Sequence, residues 1–399
     1  MAALSLLFFA ITGATFTSLG VVLPAMIAEL HWSWGAAGLG FTILAVSCGL
    51  ASLAPTVVVR TLGVRPTLGA GGVVLGAGLL LFARAEGVGG YFAGAALAGL
   101  GFALTAIIPG AYVLARSFAR PAFPIGLYFT AGGLGGAAGP LLSRLGLEHG
   151  WRGYWATLAA VVVALAALAA LAVDPRWERL GGDAHPAEAD EGWSVRDALR
   201  TPQFWIVTAA YTAYLLCGVT VNSVSVQHLG ERGLGAAMAA GFLAADNLLN
   251  ALSRLAGGAL VQRVGPRPLT AIALACLVAG MAALALAHGP AMAGLYVLGV
   301  GVGYGLSYLA TAVLLLAYFG RRRNLELFSL MCLVSTLAAV GPWLAGVSHD
   351  RTGSFTPALW AFAAVGICAL AAVLAMRPPR RTGAALQVEE LGVLVKDVG

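Results

Sequence analysis

The chain has 399 residues, 60% of them apolar and 10% charged, with a mean hydropathy of +0.89. A soluble domain carries about 25% charged residues, so too little polar surface exists here to cover a fold in water, and the solvent must be mostly lipid. The net charge of +6 does not point to nucleic acid, because the basic residues are scattered through short loops between apolar runs.

Apolar runs of roughly 20 residues predict an all-α membrane protein with twelve transmembrane helices. In chain order they cover 4–29, 36–58, 67–85, 90–115, 123–146 and 153–173, then 203–229, 236–262, 268–287, 290–318, 324–347 and 356–376. The first run, from Leu4, is long enough to span and lacks a small-residue cleavage site, so it is expected to stay in the membrane. Cys48, Cys217, Cys276, Cys332 and Cys368 all fall inside apolar stretches. Their spacing fits neither a metal site nor a disulfide framework, and they read as small apolar filler.

Arginine placement sets the expected orientation. With both termini cytoplasmic, the inner loops hold Arg60, Arg65, Arg116, Arg120, Arg176, Arg179, Arg196, Arg200, Arg263, Arg267 and Arg321 to Arg323. The tail adds Arg377, Arg380, Arg381 and Lys396, against Arg84, Arg144, Arg152, Arg232 and Arg351 outside. Seventeen against five is the asymmetry of the positive-inside rule. One Lys against 22 Arg, with Ala and Gly in excess, points to a GC-rich bacterial genome and hence to the inner membrane.

The chain repeats itself at an offset of 202. Gly63-Val64-Arg65-Pro66 corresponds to Gly265-Pro266-Arg267-Pro268, Gly87 to Gly289, Gly101 to Gly303, and Gly139-Pro140 to Gly341-Pro342. Parallel repeats of this kind place a binding site near the midplane between them. The expected organisation is an N-terminal six-helix bundle over 1–173, a cytoplasmic linker over 174–202, a C-terminal bundle over 203–376 and a tail over 377–399. Within the linker, Trp193 to Arg200 reads as a short amphipathic helix on the membrane surface.

Twelve helices, a 6+6 repeat and a long central loop together resemble the major facilitator superfamily. Its loop between helices 2 and 3 usually reads G-x-x-x-D-R-x-G-R. Here Val58-Val59-Arg60-Thr61-Leu62-Gly63-Val64-Arg65 and Leu260-Val261-Gln262-Arg263-Val264-Gly265-Pro266-Arg267 keep glycine and arginine but lack the aspartate. Further segments resemble the monocarboxylate transporter and oxalate/formate antiporter branch. They are Ser18-Leu19-Gly20-Val21-Val22-Leu23-Pro24 with His31-Trp32-Ser33-Trp34, and Ala198-Leu199-Arg200-Thr201-Pro202-Gln203-Phe204-Trp205. Tyr318-Phe319-Gly320, Gly341-Pro342-Trp343-Leu344-Ala345-Gly346 and Asp350-Arg351-Thr352-Gly353-Ser354-Phe355 complete the set.

Two charges stand within an apolar run: Asp246 and Arg254, both in the eighth. Ionisable groups at membrane depth cost several kcal/mol and mark a substrate or ion path. Asp246, Asn250 and Arg254 are four residues apart and share a helix face, with Asp246 about 12 Å from Arg254 along the axis. A guanidinium offers a carboxylate two parallel hydrogen bonds and keeps its charge. In the resembled branch a helix-8 arginine binds the substrate carboxylate, and Ser253-Arg254-Leu255-Ala256-Gly257-Gly258 matches the segment that carries it. The aspartate that often precedes that arginine by four residues is Asn250 here. The antiporters' second cation, a lysine on helix 11, has no counterpart among Ser329, Cys332, Ser335 and Thr336, so one carboxylate is expected.

The expected substrate-binding residues are therefore Arg254 and Asn250, with Tyr304, Tyr308, Asn222 and Thr105 lining the cavity. Asp246 and His228, which titrates in the useful range, are the candidates for proton coupling. The predicted function is secondary transport of a small organic anion, a monocarboxylate, with proton symport or anion exchange by a monomer and without a cofactor. A proton-coupled exporter of lipophilic compounds is the alternative. Gly132-Gly133-Leu134-Gly135-Gly136-Ala137-Ala138-Gly139-Pro140 resembles the helix-5 signature of drug/proton antiporters, but Gly-Pro recurs at Gly341-Pro342, as expected of a packing device. No H-E-x-x-H or nucleophile–base set points to an enzyme.

Overall fold

The computed structural model describes residues 1–118, 122–174, 193–320 and 323–379. All regular structure in them is helical. The first half holds α1 (Ala2–Leu30), α2 (Trp34–Leu50, then Ala51–Leu53 and Ala54–Leu62), α3 (Val64–Ala83), α4 (Val88–Thr105 and Ile107–Ser117), α5 (Ala122–Gly146) and α6 (Trp151–Ala172). The second holds α7 (Pro202–Glu231), α8 (Ala236–Val264), α9 (Pro266–Ala285), α10 (Pro290–Phe319), α11 (Asn324–Ser335, Thr336–Val340 and Gly341–Thr352) and α12 (Thr356–Ala375).

Ten of these are long and apolar enough, by length and composition, to cross a membrane among the described residues. The other two depart for local reasons. In α2 the apolar helix ends after 17 residues at a 3-10 turn. Helix α8 has 29 residues, about 43 Å at 1.5 Å per residue, but one of its faces is polar.

Three interruptions inside the expected spans share a cause. The proline ring collides with the carbonyl four residues earlier and removes a hydrogen bond. The 3-10 turn at Ala51–Leu53 precedes Pro55, the break at Ala106 precedes Pro109, and Thr336–Val340 precedes Pro342. Helix α1 instead carries a π turn at Gly13–Thr17, where the hydroxyls of Thr17 and Ser18 both donate to the Gly13 carbonyl. Hydroxyls that compete for backbone acceptors loosen a helix in this way.

The repeat is visible in the helix starts. Trp34 and Ala236, Val64 and Pro266, Val88 and Pro290, and Ala122 and Asn324 each open equivalent helices 202 residues apart. Gly63 and Gly265 precede α3 and α9 with φ of 91° and 86°, a left-handed region that glycine tolerates best. One large core draws its buried residues from Leu4 to Val173; another draws its own from Ala198 to Met376, with Val21 of α1 the one buried residue from the first half among the described residues and Trp34 and Leu147 packed against it.

The repeated arginine caps a helix in each half. Arg65 Nε and Nη2 donate to Val173 O and Leu171 O at 2.7 and 3.0 Å, at the end of α6. Arg267 Nε and Nη2 donate to Val373 O and Leu374 O at 3.1 and 2.5 Å, at the end of α12. Terminal carbonyls have no partner within their own helix, and a cation is favoured there. Arg267→Ala should destabilise the protein by about 1–2 kcal/mol, lowering the melting temperature in detergent by roughly 2–4 °C. An unchanged melting curve would mean that water serves these carbonyls equally well.

The piece expected to be amphipathic helix over Trp193 to Arg200 is helical only over Val195–Leu199, with Ser194 accepting from the Asp197 N–H. Trp193 ties it to α10: its N–H donates to Phe319 O at 3.1 Å and its ring packs on Phe319. The linker residues 175–192 and the tail cations Arg380, Arg381 and Lys396 lie outside the described residues, as do Arg120, Arg176, Arg179, Arg321 and Arg322.

Candidate functional site between the halves

Helix α8 is built to expose two environments at once. Leu248, Leu252 and Leu255, at helical spacing, are exposed along one side. Opposite them, Asp246, Asn247, Asn250 and Ser253 are buried. A stripe of leucine against a stripe of amide and carboxylate is what a helix between lipid and a protein interior requires.

Small residues on α10 bring this polar face close. A methyl at Gly301 would lie 2.9 Å from Asp246 O, and one at Gly305 would lie 2.4 Å from Asn250 O. Only glycine fits at both, one turn apart, as in close helix pairs within membranes. The tyrosines of α10 are thereby brought beside Arg254.

The guanidinium carbon of Arg254 sits 4.7 Å from the Tyr308 ring centre and 5.8 Å from that of Tyr304. Its Nε donates to Asn250 Oδ1 at 3.0 Å. The two terminal nitrogens have no hydrogen bond to the described residues, and no carboxylate pairs with them. Arg254 is exposed although its face is turned away from the leucine stripe. The tether therefore fixes the root of the fork and leaves its tips for a ligand. A ring ladder continues behind it: Tyr304 packs on Tyr214 at 5.1 Å, and Tyr214 on Tyr211 at 4.9 Å.

The exposure of Arg254 follows from how the halves meet. On the face opposite the chain termini, α2 runs against α11: Thr42 Oγ1 donates to Ala339 O at 2.6 Å, and the Trp34 and Gly35 N–H groups donate to Asp350. Helix α1 touches α7 where Gly20 meets the Asn222 backbone. Helix α5 lies against α8 at Gly136–Asn247 and Gly133–Ala251. One turn further toward the termini, α8 is exposed at Arg254, Leu255 and Ala256, and again from Gly258 to Leu260. The halves touch on the face opposite the termini, and Arg254 is exposed one turn beyond the α5–α8 contact at Gly133–Ala251.

Asn222 is part of the junction. Its Oδ1 accepts from Asn247 Nδ2 at 3.1 Å, joining α7 to α8 beside the contact with Gly20. Asp246 is buried to 3% exposure, and its Oδ1 has no partner among the described residues. Two expected site residues turn to other neighbours. Thr105 Oγ1 donates to Gly101 O at 2.8 Å, and its methyl faces Gly71 of α3, inside the N-terminal half. The ring of His228 is buried with Nε2 3.0 Å from Leu284 O and packs on Phe355, apart from the Arg254 group. Helical spacing alone could not show this, because it gives the face of a helix and not what that face meets. Sequence reasoning missed Tyr296, a fully buried tyrosine of α10 in an apolar stretch.

A cavity of about 140 Å³ opens elsewhere, between the ends of α1, α4 and α6, lined by Leu4, Val113, Leu114, Phe118 and Val173. Its lining also includes Met1, Ser117 and Asp174, and it lies apart from Arg254.

The sequence profile of the Major Facilitator Superfamily matches residues 5–340. No curated protein sequence matches the chain. Among solved structures, it is similar to a bacterial homolog of the human lysosomal transporter Spinster in an inward-facing and occupied conformation. That match has 16% identity and a TM-score of 0.74, covering 94% of this chain and 95% of that one. It is also similar to a D-xylose-proton symporter (16%, 0.73, covering 94% and 97%) and to the nucleoside transporter NupG (15%, 0.71, covering 94% and 98%). At these identities the likeness is one of fold.

Proposed function

Starting from a chain that belongs to the Major Facilitator Superfamily, and is thus a multi-pass membrane transporter and not an enzyme, we propose that it carries a small organic monoanion, a monocarboxylate, between its two halves. The observation that carries this reading is the free fork of Arg254, held at its root by Asn250, flanked by Tyr304 and Tyr308, and open toward the termini face. A carboxylate is the ligand whose two oxygens match that fork. A single cation suits a single carboxylate. The resemblance of several motifs to the monocarboxylate and oxalate/formate branch supports the same reading.

Substrate would neutralise Arg254 and let the N-terminal bundle (1–173) rock against the C-terminal one (203–376). Coupling would come from a proton carried at Asp246 or from exchange of one anion for another. The arginine asymmetry supports cytoplasmic termini, in a bacterial inner membrane, and the opening would then face the cytoplasm. The runner-up, a proton-coupled exporter of lipophilic compounds, is less well supported, since such exporters often bear an acidic residue deep in the N-terminal half.

Proteoliposomes supply the test. Uptake of labelled short monocarboxylates should be saturable, and competed by other monocarboxylates more strongly than by dicarboxylates. No uptake of any carboxylate, together with altered drug susceptibility in a deletion strain, would establish the exporter instead.

A further inference from the structure

The two halves end their first helices on the same residue and partner it differently. Glu29, in the last turn of α1, and Glu231, the last residue of α7, stand 202 residues apart and occupy one position of the repeat. Glu29 accepts from Trp151 Nε1 at 2.6 Å and pairs with Arg152, so its partner is a permanent cation. Glu231 Oε1 instead lies 2.9 Å from His349 Nε2 of α11 and accepts from Gln227 Nε2 at 2.8 Å. A fixed charge in one half is thus replaced by a titratable ring in the other.

That ring stands on the seam between the halves. Trp34, which opens α2, forms a triangle with His349 and Phe355, the ring centres lying 5.5 Å apart for Trp34–His349, 5.3 Å for Trp34–Phe355 and 4.3 Å for His349–Phe355. The backbones touch beside it: a methyl at Gly346 would lie 2.1 Å from Trp34 O. The next residue, Asp350, accepts from the first N–H groups of α2. The His349 side chain keeps 16% exposure, so water on the face opposite the termini reaches it. With Nε2–H donating to Glu231, Nδ1 has no hydrogen bond among the described residues and is the atom that takes a second proton.

We propose that His349 is a proton sensor for this face: its protonation holds the halves together and its deprotonation lets them part. The proposal rests on the rocking of the halves described above and not on what Arg254 binds. Two effects set the sign. A neutral imidazole leaves Glu231 without a countercharge in a seam that joining partly withdraws from water, and an imidazolium supplies one. A cationic ring is also drawn to the faces of Phe355 and Trp34, and the Trp34 contact crosses between the halves. Falling pH therefore favours the joined arrangement, and the bias is lost as pH rises through the range where imidazole titrates. The charged and titratable groups around His349 are Glu231 and Arg232 at the end of α7, His228 beyond Phe355, and Asp350 and Arg351 on its own helix. Arg232 opposes the proton, but its guanidinium is engaged by His288 and Thr356. Trp34 and Gly35, which α2 presents here, are uncharged.

Spin labels on the α3–α4 and α9–α10 loops, which lie on that face, test the proposal in the full chain in nanodiscs, without substrate and with the native cysteines replaced. As pH falls through the range of about 8 to 5, the ratio of parted to joined populations in the wild type should fall. The expected change is about tenfold, the size of a partly desolvated cation–π contact across the seam. His349→Gln keeps an amide beside Glu231 but cannot take up a proton, and should hold the high-pH distribution throughout. A purely structural role would shift the His349→Gln distribution by the same amount at each pH and leave the response in place. Arg254→Ala and Asp246→Asn should both keep the response, so the sensor stands or falls apart from the anion reading and from any proton taken up at Asp246. A wild-type distribution that ignores pH, one that parts as pH falls, or a response that survives in His349→Gln overturns the sensor.

Discussion

Arg254→Ala should raise the half-saturating concentration for monocarboxylate uptake by at least about a hundredfold, the cost of truncating one partner of a desolvated charge pair. Arg254→Lys should recover part of the loss and remain roughly tenfold impaired, because an ammonium is a point charge and cannot form two parallel bonds. The fold should tolerate both changes. The terminal nitrogens of Arg254 support no other part of the described protein, and the hydrogen bond it would lose is the one from Nε to Asn250. A melting temperature near that of the wild type with uptake abolished is the expected pair of results. Wild-type uptake kinetics in Arg254→Ala, for every carboxylate tried, would remove the anion reading and leave the fold standing.

Why the fold was legible and the site only partly so has a physical basis. Segment starts are set by local chemistry: Gly63, Gly265, Gly87 and Gly289 sit at helix N-termini, and Thr201 with Pro202 opens α7 through a hydroxyl that accepts from the Phe204 N–H. Such signals need only a few residues, so the repeat could be aligned from sequence. The polar face of α8 was legible for the same reason, since four-residue spacing fixes a shared face. What each face meets is set by packing between helices. Thr105 and His228 looked like Asn222 in their helices, yet they turn to α3 and to the end of α9. Tyr296 gave no signal, because a tyrosine in an apolar run reads as packing.

The α2–α11 contact was beyond sequence for a further reason: its hydrogen-bonded partners are 297 to 316 residues apart, and nothing in either segment specifies the other. Asp350 Oδ1 and Oδ2 accept from the N–H groups of Trp34 and Gly35 at 2.8 and 2.7 Å. Ser33 Oγ accepts from Ala36 at 3.1 Å. The first turn of α2 is therefore capped jointly, by its own serine and by a carboxylate from the other half, at the positive end of a helix dipole. Around this cap the Trp34 ring packs on His349 and Phe355, at 5.5 and 5.3 Å, and His349 Nε2 lies 2.9 Å from Glu231 Oε1.

A transporter that opens alternately to both faces has to break these bonds each cycle. They stabilise one state only, so their loss acts directly on the equilibrium between states. Hydrogen bonds to a charged group are worth about 1.5–3 kcal/mol each, and exposure of Asp350 places this pair toward the low end. Asp350→Ala should then shift the population toward opening on that face by roughly tenfold or more. Spin labels on the α1–α2 and α11–α12 loops, in a chain with its native cysteines replaced, would report it as a longer distance. The same variant should keep the affinity of Arg254 for its anion, because the two lie at different levels of the bundle. An unchanged distance distribution would mean that the packing of Trp34 against Phe355, with the Thr42–Ala339 hydrogen bond, holds the face shut without Asp350.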